Sequence, residues 1–109
     1  MFLVRAIVRP EKADEVLYEL SQAGFHAVTK LDAVGRGKQK GIRIGDIVYD
    51  EIPKTMLFMA VADDKDKEDV INIILKTARS GSKGAFGDGK IFISGVDAAY
   101  TISSGATGL

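Results

Sequence analysis

Two short segments carry apolar side chains on both faces, and this limits the fold more than any other feature of the chain. Residues 2 to 8 read Phe2-Leu3-Val4-Arg5-Ala6-Ile7-Val8, and residues 55 to 62 read Thr55-Met56-Leu57-Phe58-Met59-Ala60-Val61-Ala62. A strand that alternates polar and apolar side chains needs cover on one face only, whereas one that is apolar throughout needs packing on both. Both segments therefore belong inside a sheet. The 109 residues suit a single domain spanning 1–109, long enough to bury roughly two thirds of the unfolded chain's surface.

Between the two strands the period changes. After Arg9-Pro10, residues Ala13, Val16, Leu17, Leu20 and Ala23 recur at helical spacing, with Glu11, Asp14 and Glu15 near the positive end of the helix dipole. Pro10 suits the first turn and Gly24 the C-terminal cap. Residues 25 to 34, with Phe25, Val28, Thr29, Leu31 and Val34, predict a second strand. Residues 35 to 53 hold Gly35, Gly37, Gly41 and Gly45, then Asp46, Asp50 and Glu51, among the cations Arg36, Lys38, Lys40 and Arg43. They read as a long functional loop, with Ile42, Ile44, Ile47 and Val48 forming a transient hairpin.

Beyond the strand at 55–62, Asp63 and Asp64 begin a second helix marked by Val70, Ile71, Ile73, Ile74, Leu75 and Ala78. A glycine-rich loop from Ser80 to Gly89 leads to a fourth strand, Lys90 to Ser94, and Tyr100 to Leu109 reads as a frayed tail. Strand–helix–strand twice over predicts an α+β fold, a ferredoxin-like split βαβ sandwich of order βαββαβ with a long loop after the second strand. Both helices then cover one sheet face. The other carries Leu3 or Phe2 and apolar members of residues 56 to 61, a patch that calls for oligomerisation.

Composition excludes several chemistries. Fifteen basic residues balance fifteen acidic ones, so no net field draws the chain to nucleic acid or an anionic membrane. There is no cysteine and one histidine, His26, which removes disulfides, thiolate nucleophiles and a multi-His metal centre within one subunit. His26 reads as a surface residue. No apolar run approaches the roughly 18 residues of a membrane span, and the expected location is the cytoplasm.

Gly84-Ala-Phe-Gly-Asp-Gly-Lys90 has the Walker A spacing, but Ile91 stands where a magnesium-binding Ser or Thr would. It also leads from a helix into a strand, whereas a P-loop leads from strand into helix. What remains is a pair of glycines, Gly87 and Gly89, that let backbone approach an anion beside the charge of Lys90. The Gly35-Arg-Gly-Lys-Gln-Lys-Gly41 segment reads either as a solvated hairpin tip or as a second anion cradle. No catalytic constellation is evident.

Taken in order, Ile7-Val-Arg-Pro-Glu-Lys12, Gly35-Arg-Gly-Lys-Gln-Lys-Gly41, Ile52-Pro-Lys54, Gly87-Asp-Gly-Lys-Ile-Phe92 and Gly105-Ala-Thr-Gly108 resemble the P-II nitrogen-signalling family over nearly the whole chain. The segments around 35–54 look most like the branch linked to nitrogenase in archaea and anaerobic bacteria. The resemblance implies a non-enzymatic homotrimer, with or without a paralogue, that holds ATP or ADP between subunits and 2-oxoglutarate with magnesium at the base of the long loop. By position it implies nucleotide contacts at Ile7, Thr29, Gly35, Gly37, Lys38, Gly87, Asp88, Gly89 and Lys90. It implies 2-oxoglutarate contacts at Gln39, Gly41 and Lys54, with Gln39 also a metal ligand.

Nitrogenase is the first target implied, and an ammonium channel or glutamine synthetase the alternative. Tyr49 lacks the family's Leu-Tyr-Arg-Gly context, so uridylylation is not expected. Thr101 and Ser103 stand where the family has two phosphate-gripping arginines. Their absence points to a divergent member with weakened nucleotide binding, because charge-assisted hydrogen bonds contribute roughly 1.5–3 kcal/mol each. A small nucleotide hydrolase and a structural trimer without ligand are the readings left outside this one.

Overall fold

The computed structural model describes residues 1–36 and 51–109. Its element order is β1 (Phe2–Val8), α1 (Pro10–Gln22), β2 (Thr29–Arg36), β3 (Glu51–Val61), α2 (Asp64–Ala78) and β4 (Gly89–Gly95). The four strands form one antiparallel sheet in the order β2-β3-β1-β4. This is the βαββαβ sandwich that the alternating pattern implied, with the two segments apolar on both faces, β1 and β3, in its centre.

Each helix is delimited by local chemistry. Arg9 is extended before α1, and Pro10 takes the first helical position, where its missing N–H would have had no partner. The helix ends in a Schellman motif: Gly24, at φ +94, donates to the Ser21 carbonyl and Phe25 to the Leu20 carbonyl. In α2 the Asp63 carboxylate accepts from the Asp66 N–H at 2.9 Å, and Asp64 and Asp66 occupy the first turn.

Strand register divides the side chains between two faces. Toward the helices point Val4, Ala6 and Val8 of β1 and Thr55, Leu57, Met59 and Val61 of β3, all buried. Ala13, Val16 and Leu20 of α1 and Val70, Ile74 and Ala78 of α2 complete the core. The opposite face carries Leu3, Ile7, Met56 and Phe58, half-buried, with Leu31 and Phe92 about half exposed. Of Leu3 and Phe2, it is Leu3 that takes this face. Phe2 packs against the core beneath the Lys67 ammonium, 4.5 Å from its ring centroid.

Three sequence expectations change. The second strand begins at Thr29 rather than residue 25, because the Phe25 N–H closes α1. Residues 35, 36 and 51 to 53, expected in a loop, continue the β2–β3 pairing as far as Arg36 opposite Glu51. Pro53 is accommodated there because β3 has run past the end of β1 and is paired on one side only, where a missing N–H is tolerated. The supposed hairpin at 42–48 and Tyr49 lie outside the described residues.

The C-terminal stretch is not frayed. Tyr100 bridges Thr107, the Thr101 N–H donates to Ala106, and the Gly108 N–H donates to Ala99 at 2.9 Å. Gly105 and Gly108, both at positive φ, let this short polar chain turn back on itself.

Leu20 has no exposed surface and joins α1 to the sheet. Leu20→Ala should destabilise the protein by ~3 kcal/mol through lost burial and the cavity left behind. Tyr18→Ala, on the outer face of the same helix, should change stability by less than ~0.5 kcal/mol. Urea unfolding of both variants at one fixed protein concentration checks the difference.

Candidate functional site

The site gathers where the C-terminal end of β1 meets the loop between α2 and β4. Asp88 organises it. Its Oδ1 accepts from Arg9 Nε at 3.0 Å and Ser80 Oγ at 2.6 Å, and its Oδ2 from the backbone N–H groups of Ser80 at 3.0 Å and Ala85 at 2.7 Å. Arg9 Nη2 also donates to the Phe86 carbonyl at 2.9 Å. One carboxylate thus ties the end of α2, the following loop and the end of β1 together.

Those donors favour the ionised form. The Ser80 hydroxyl contributes most, followed by the Ser80 and Ala85 N–H groups, and with the Arg9 guanidinium they outweigh burial and hold Asp88 far below the ordinary carboxylate range. The Asp88 side chain is 19% exposed, so this is a solvent-edge network rather than a buried charge.

Two glycines shape the loop's last turn. Gly87 has φ +97 and Gly89 φ +114. A Cβ on Gly89 would overlap the Ile7 carbonyl, and one on Gly87 would lie 3.2 Å from Arg9 Nη2. Only glycine allows the loop to enter β4 while pressed against β1.

Lys54 joins the loop to the β2–β3 ribbon. Its Nζ donates to the Gly87 carbonyl, and its stem passes Gly35, where a Cβ would stand 3.3 Å from Lys54 Cγ. No carboxylate lies within ion-pair distance of Lys54 among the described residues. A cleft of about 280 Å³ opens beside it, lined by Arg9, Pro10, Glu11, Ile52, Pro53 and Lys54. A larger one of about 390 Å³ runs between α2 and β4 and includes Ile7, Asp88, Gly89 and Lys90.

The residues singled out from sequence fall into groups. Gly87 and Asp88 meet Arg9, and Lys54 links Gly87 to Gly35. Ile7 and Lys90 face one another across β1 and β4 on the helix-free side. Thr29 shares that side but lies on β2, three strand spacings from β4, or ~14 Å. Gly37, Lys38, Gln39 and Gly41 lie outside the described residues. His26 is exposed and paired with the Ser21 hydroxyl at 3.0 Å.

Sequence reasoning missed Arg9 and Ser80 as members of the site. Arg9 read as the stop of a strand, and Ser80 precedes Asp88 by a loop spacing that has no periodicity to reveal it.

Comparison with known proteins agrees with this architecture. The family model described as "Nitrogen regulatory protein P-II" matches residues 1–106. The chain is 56% identical to a protein of Methanococcus maripaludis named "Nitrogen fixation nifHD region glnB-like protein 1", with 109 residues aligned and both chains covered fully. A "Nitrogen fixation nifHD region GlnB-like protein 1" of Methanothermobacter marburgensis is 55% identical. A "Nitrogen fixation nifHD2 region GlnB-like protein 1" of Methanosarcina barkeri is 52% identical, and both chains are again covered fully in each case. The family match and the names of these relatives indicate a regulatory, non-enzymatic protein rather than a nucleotide hydrolase. The chain belongs to the P-II family of nitrogen regulatory proteins.

Because Asp88 is ionised more readily in the folded loop than in the unfolded chain, its contribution is complete above the ordinary value of 3.8. It is lost as pH falls from there toward the depressed folded value. In spectra recorded from about pH 5 to about pH 2, the Ser80 and Ala85 amide resonances should hold their positions until well below pH 3.8. Asp88→Asn should displace both at every pH. Titration of either amide with an ordinary carboxylate midpoint would contradict the network.

Proposed function

We propose that this chain is a homotrimeric regulator, with or without a paralogue, that binds ATP or ADP at subunit boundaries and 2-oxoglutarate at the Lys54 end of the sheet. Its target is nitrogenase or another protein of nitrogen metabolism. P-II proteins as a family are trimeric regulators that bind these ligands, and the names of the nifHD-region relatives point the target toward nitrogen fixation.

The observation that carries the reading is Lys54. A half-buried ammonium, held by a carbonyl, facing a cleft and paired with no carboxylate among the described residues, is matched to a small dicarboxylate, whose charge would complete it. Gln39 and Gly41 are the proposed further contacts to that ligand.

The glycine turn fits a phosphate chain on different grounds. Gly87 and Gly89, both at positive φ, let the loop backbone turn tightly where a side chain would collide with Arg9 or the Ile7 carbonyl, and the Lys90 side chain makes no ion pair or hydrogen bond among the described residues. Lys90, Gly87 and Gly89 would hold phosphates, and Ile7, Thr29, Gly35, Gly37 and Lys38 the rest of the nucleotide. Magnesium would neutralise the phosphate charge, with Gln39 the proposed protein ligand. Asp88 has a different part in this proposal: its four donors already come from the protein, so it fixes the turn on which the phosphates rest.

The trimer is supported by the helix-free face. Leu3, Leu31, Met56, Phe58 and Phe92 form an apolar surface there that a second and third copy would cover. Residues 37–50, which link β2 to β3 in sequence, are the proposed contact to the target.

Calorimetric titration separates the two ligands. The wild type should bind ATP or ADP, and should bind 2-oxoglutarate in the presence of ATP and magnesium. Lys54→Met should weaken 2-oxoglutarate at least ~10-fold, the loss expected for one charge-assisted contact, while ATP affinity stays within about threefold. Equal 2-oxoglutarate affinity in both proteins would remove Lys54 from the site. Deleting residues 42 to 50 should abolish capture of the target and leave the fold intact, as read by circular dichroism.

A further inference from the structure

The first residue after α2 is Arg79, which is extended and exposed. Its stem is packed into the α2–β4 loop: a Cβ on Gly84 would lie 3.2 Å from Arg79 Cγ, 3.5 Å from Arg79 Cδ and 3.3 Å from Asp88 Oδ2. An arginine so close to a carboxylate would ordinarily pair with it. Here Asp88 is already saturated by Arg9, Ser80 and Ala85. Arg79 makes no hydrogen bond or ion pair among the described residues.

The side chain is therefore positioned by packing while its charge is left free. It lines the 390 Å³ cleft together with Asp88, Gly89 and Lys90, above an apolar floor that includes Leu75 and Ile93. Arg79 on the helix side and the Lys90 side chain on the helix-free side thus flank one glycine turn, neither charge paired among the described residues.

We propose that Arg79 is a phosphate-gripping residue of this cleft, supplying from within the same subunit a guanidinium that closes on a polyphosphate held at Gly87–Lys90. The proposal rests on the nucleotide reading above. A planar guanidinium can donate two parallel hydrogen bonds to phosphate oxygens, which an ammonium such as that of Lys90 cannot. The saturation of Asp88 is what makes this possible, since an acceptor with spare capacity would hold Arg79 in the loop.

The test uses Arg79→Gln, which keeps a stem against Gly84 and removes the charge, beside Arg79→Lys, which keeps the charge and removes the fork. Titration of the full chain with ATP should show Arg79→Gln weakened ~10-fold or more. Arg79→Lys should recover part of that loss, and thermal unfolding without ligand should be nearly unchanged in both. An Arg79→Gln protein that binds ATP within twofold of wild type overturns the role of Arg79 and leaves the nucleotide reading standing. A wild type that binds neither ATP nor ADP overturns both. A loss of ATP affinity matched by a large fall in unfolding temperature would show a structural role and also overturn the proposal.

Discussion

A four-stranded sheet has two faces, and the described residues of this chain hold two helices, both on the same one. The packing of Val4, Ala6, Val8, Leu57, Met59 and Val61 against Val16, Leu20, Val70 and Ile74 accounts for the folded unit. Among the described residues it also leaves the reverse side of β1 and β3, apolar around Arg5, without cover. Burial on the helix side is what fixes the register, since a slip of one residue would exchange the two faces of every strand. Register in turn decides which site residues meet: Ile7 stands opposite Lys90 because Val8 stands opposite Gly89.

At the end of that register lies Asp88, whose connections make one object of three chain segments far apart in sequence. Arg9 leaves β1, Ser80 leaves α2, and Gly87 enters β4; the carboxylate and the Arg9 guanidinium hold them together. Lys54 adds the β2–β3 ribbon through the Gly87 carbonyl. A ligand that draws on Lys54 at one end and a phosphate held by the glycine turn at the other would therefore act on the same few residues. This is a physical route by which two ligands could be coupled, each altering the affinity of the other by the same factor.

Much of the fold was legible because it rests on periodicity. The two-faced runs gave the central strands, helical spacing with Pro10 and Gly24 gave α1 within a residue at its start, and the acidic run at 63–64 gave the start of α2. The β2–β3 ribbon beyond residue 34 was not legible, since Gly35 and Pro53 signal breaks and only the ending of β1 makes them tolerable in strands. The C-terminal hairpin was hidden for a related reason: glycines and small polar residues describe a frayed tail and a tight turn equally well.

The candidate site divides along the same line. Gly87, Gly89, Lys90 and Lys54 could be named because their chemistry toward anions is local and their order in the chain resembles that of a known family. Arg9, Ser80 and Arg79 could not, because what matters about them is which acceptors are already occupied. That is a property of the three-dimensional network, and the sequence has no pattern for it.

The uncovered sheet face provides the most direct test of how the subunit becomes a site. Multi-angle light scattering of the purified chain at micromolar concentration should give three times the 11.7 kDa subunit mass, because the apolar reverse side of β1 and β3 has then been buried between copies. A stable monomer of 11.7 kDa with Leu31 and Phe92 left in water would contradict it.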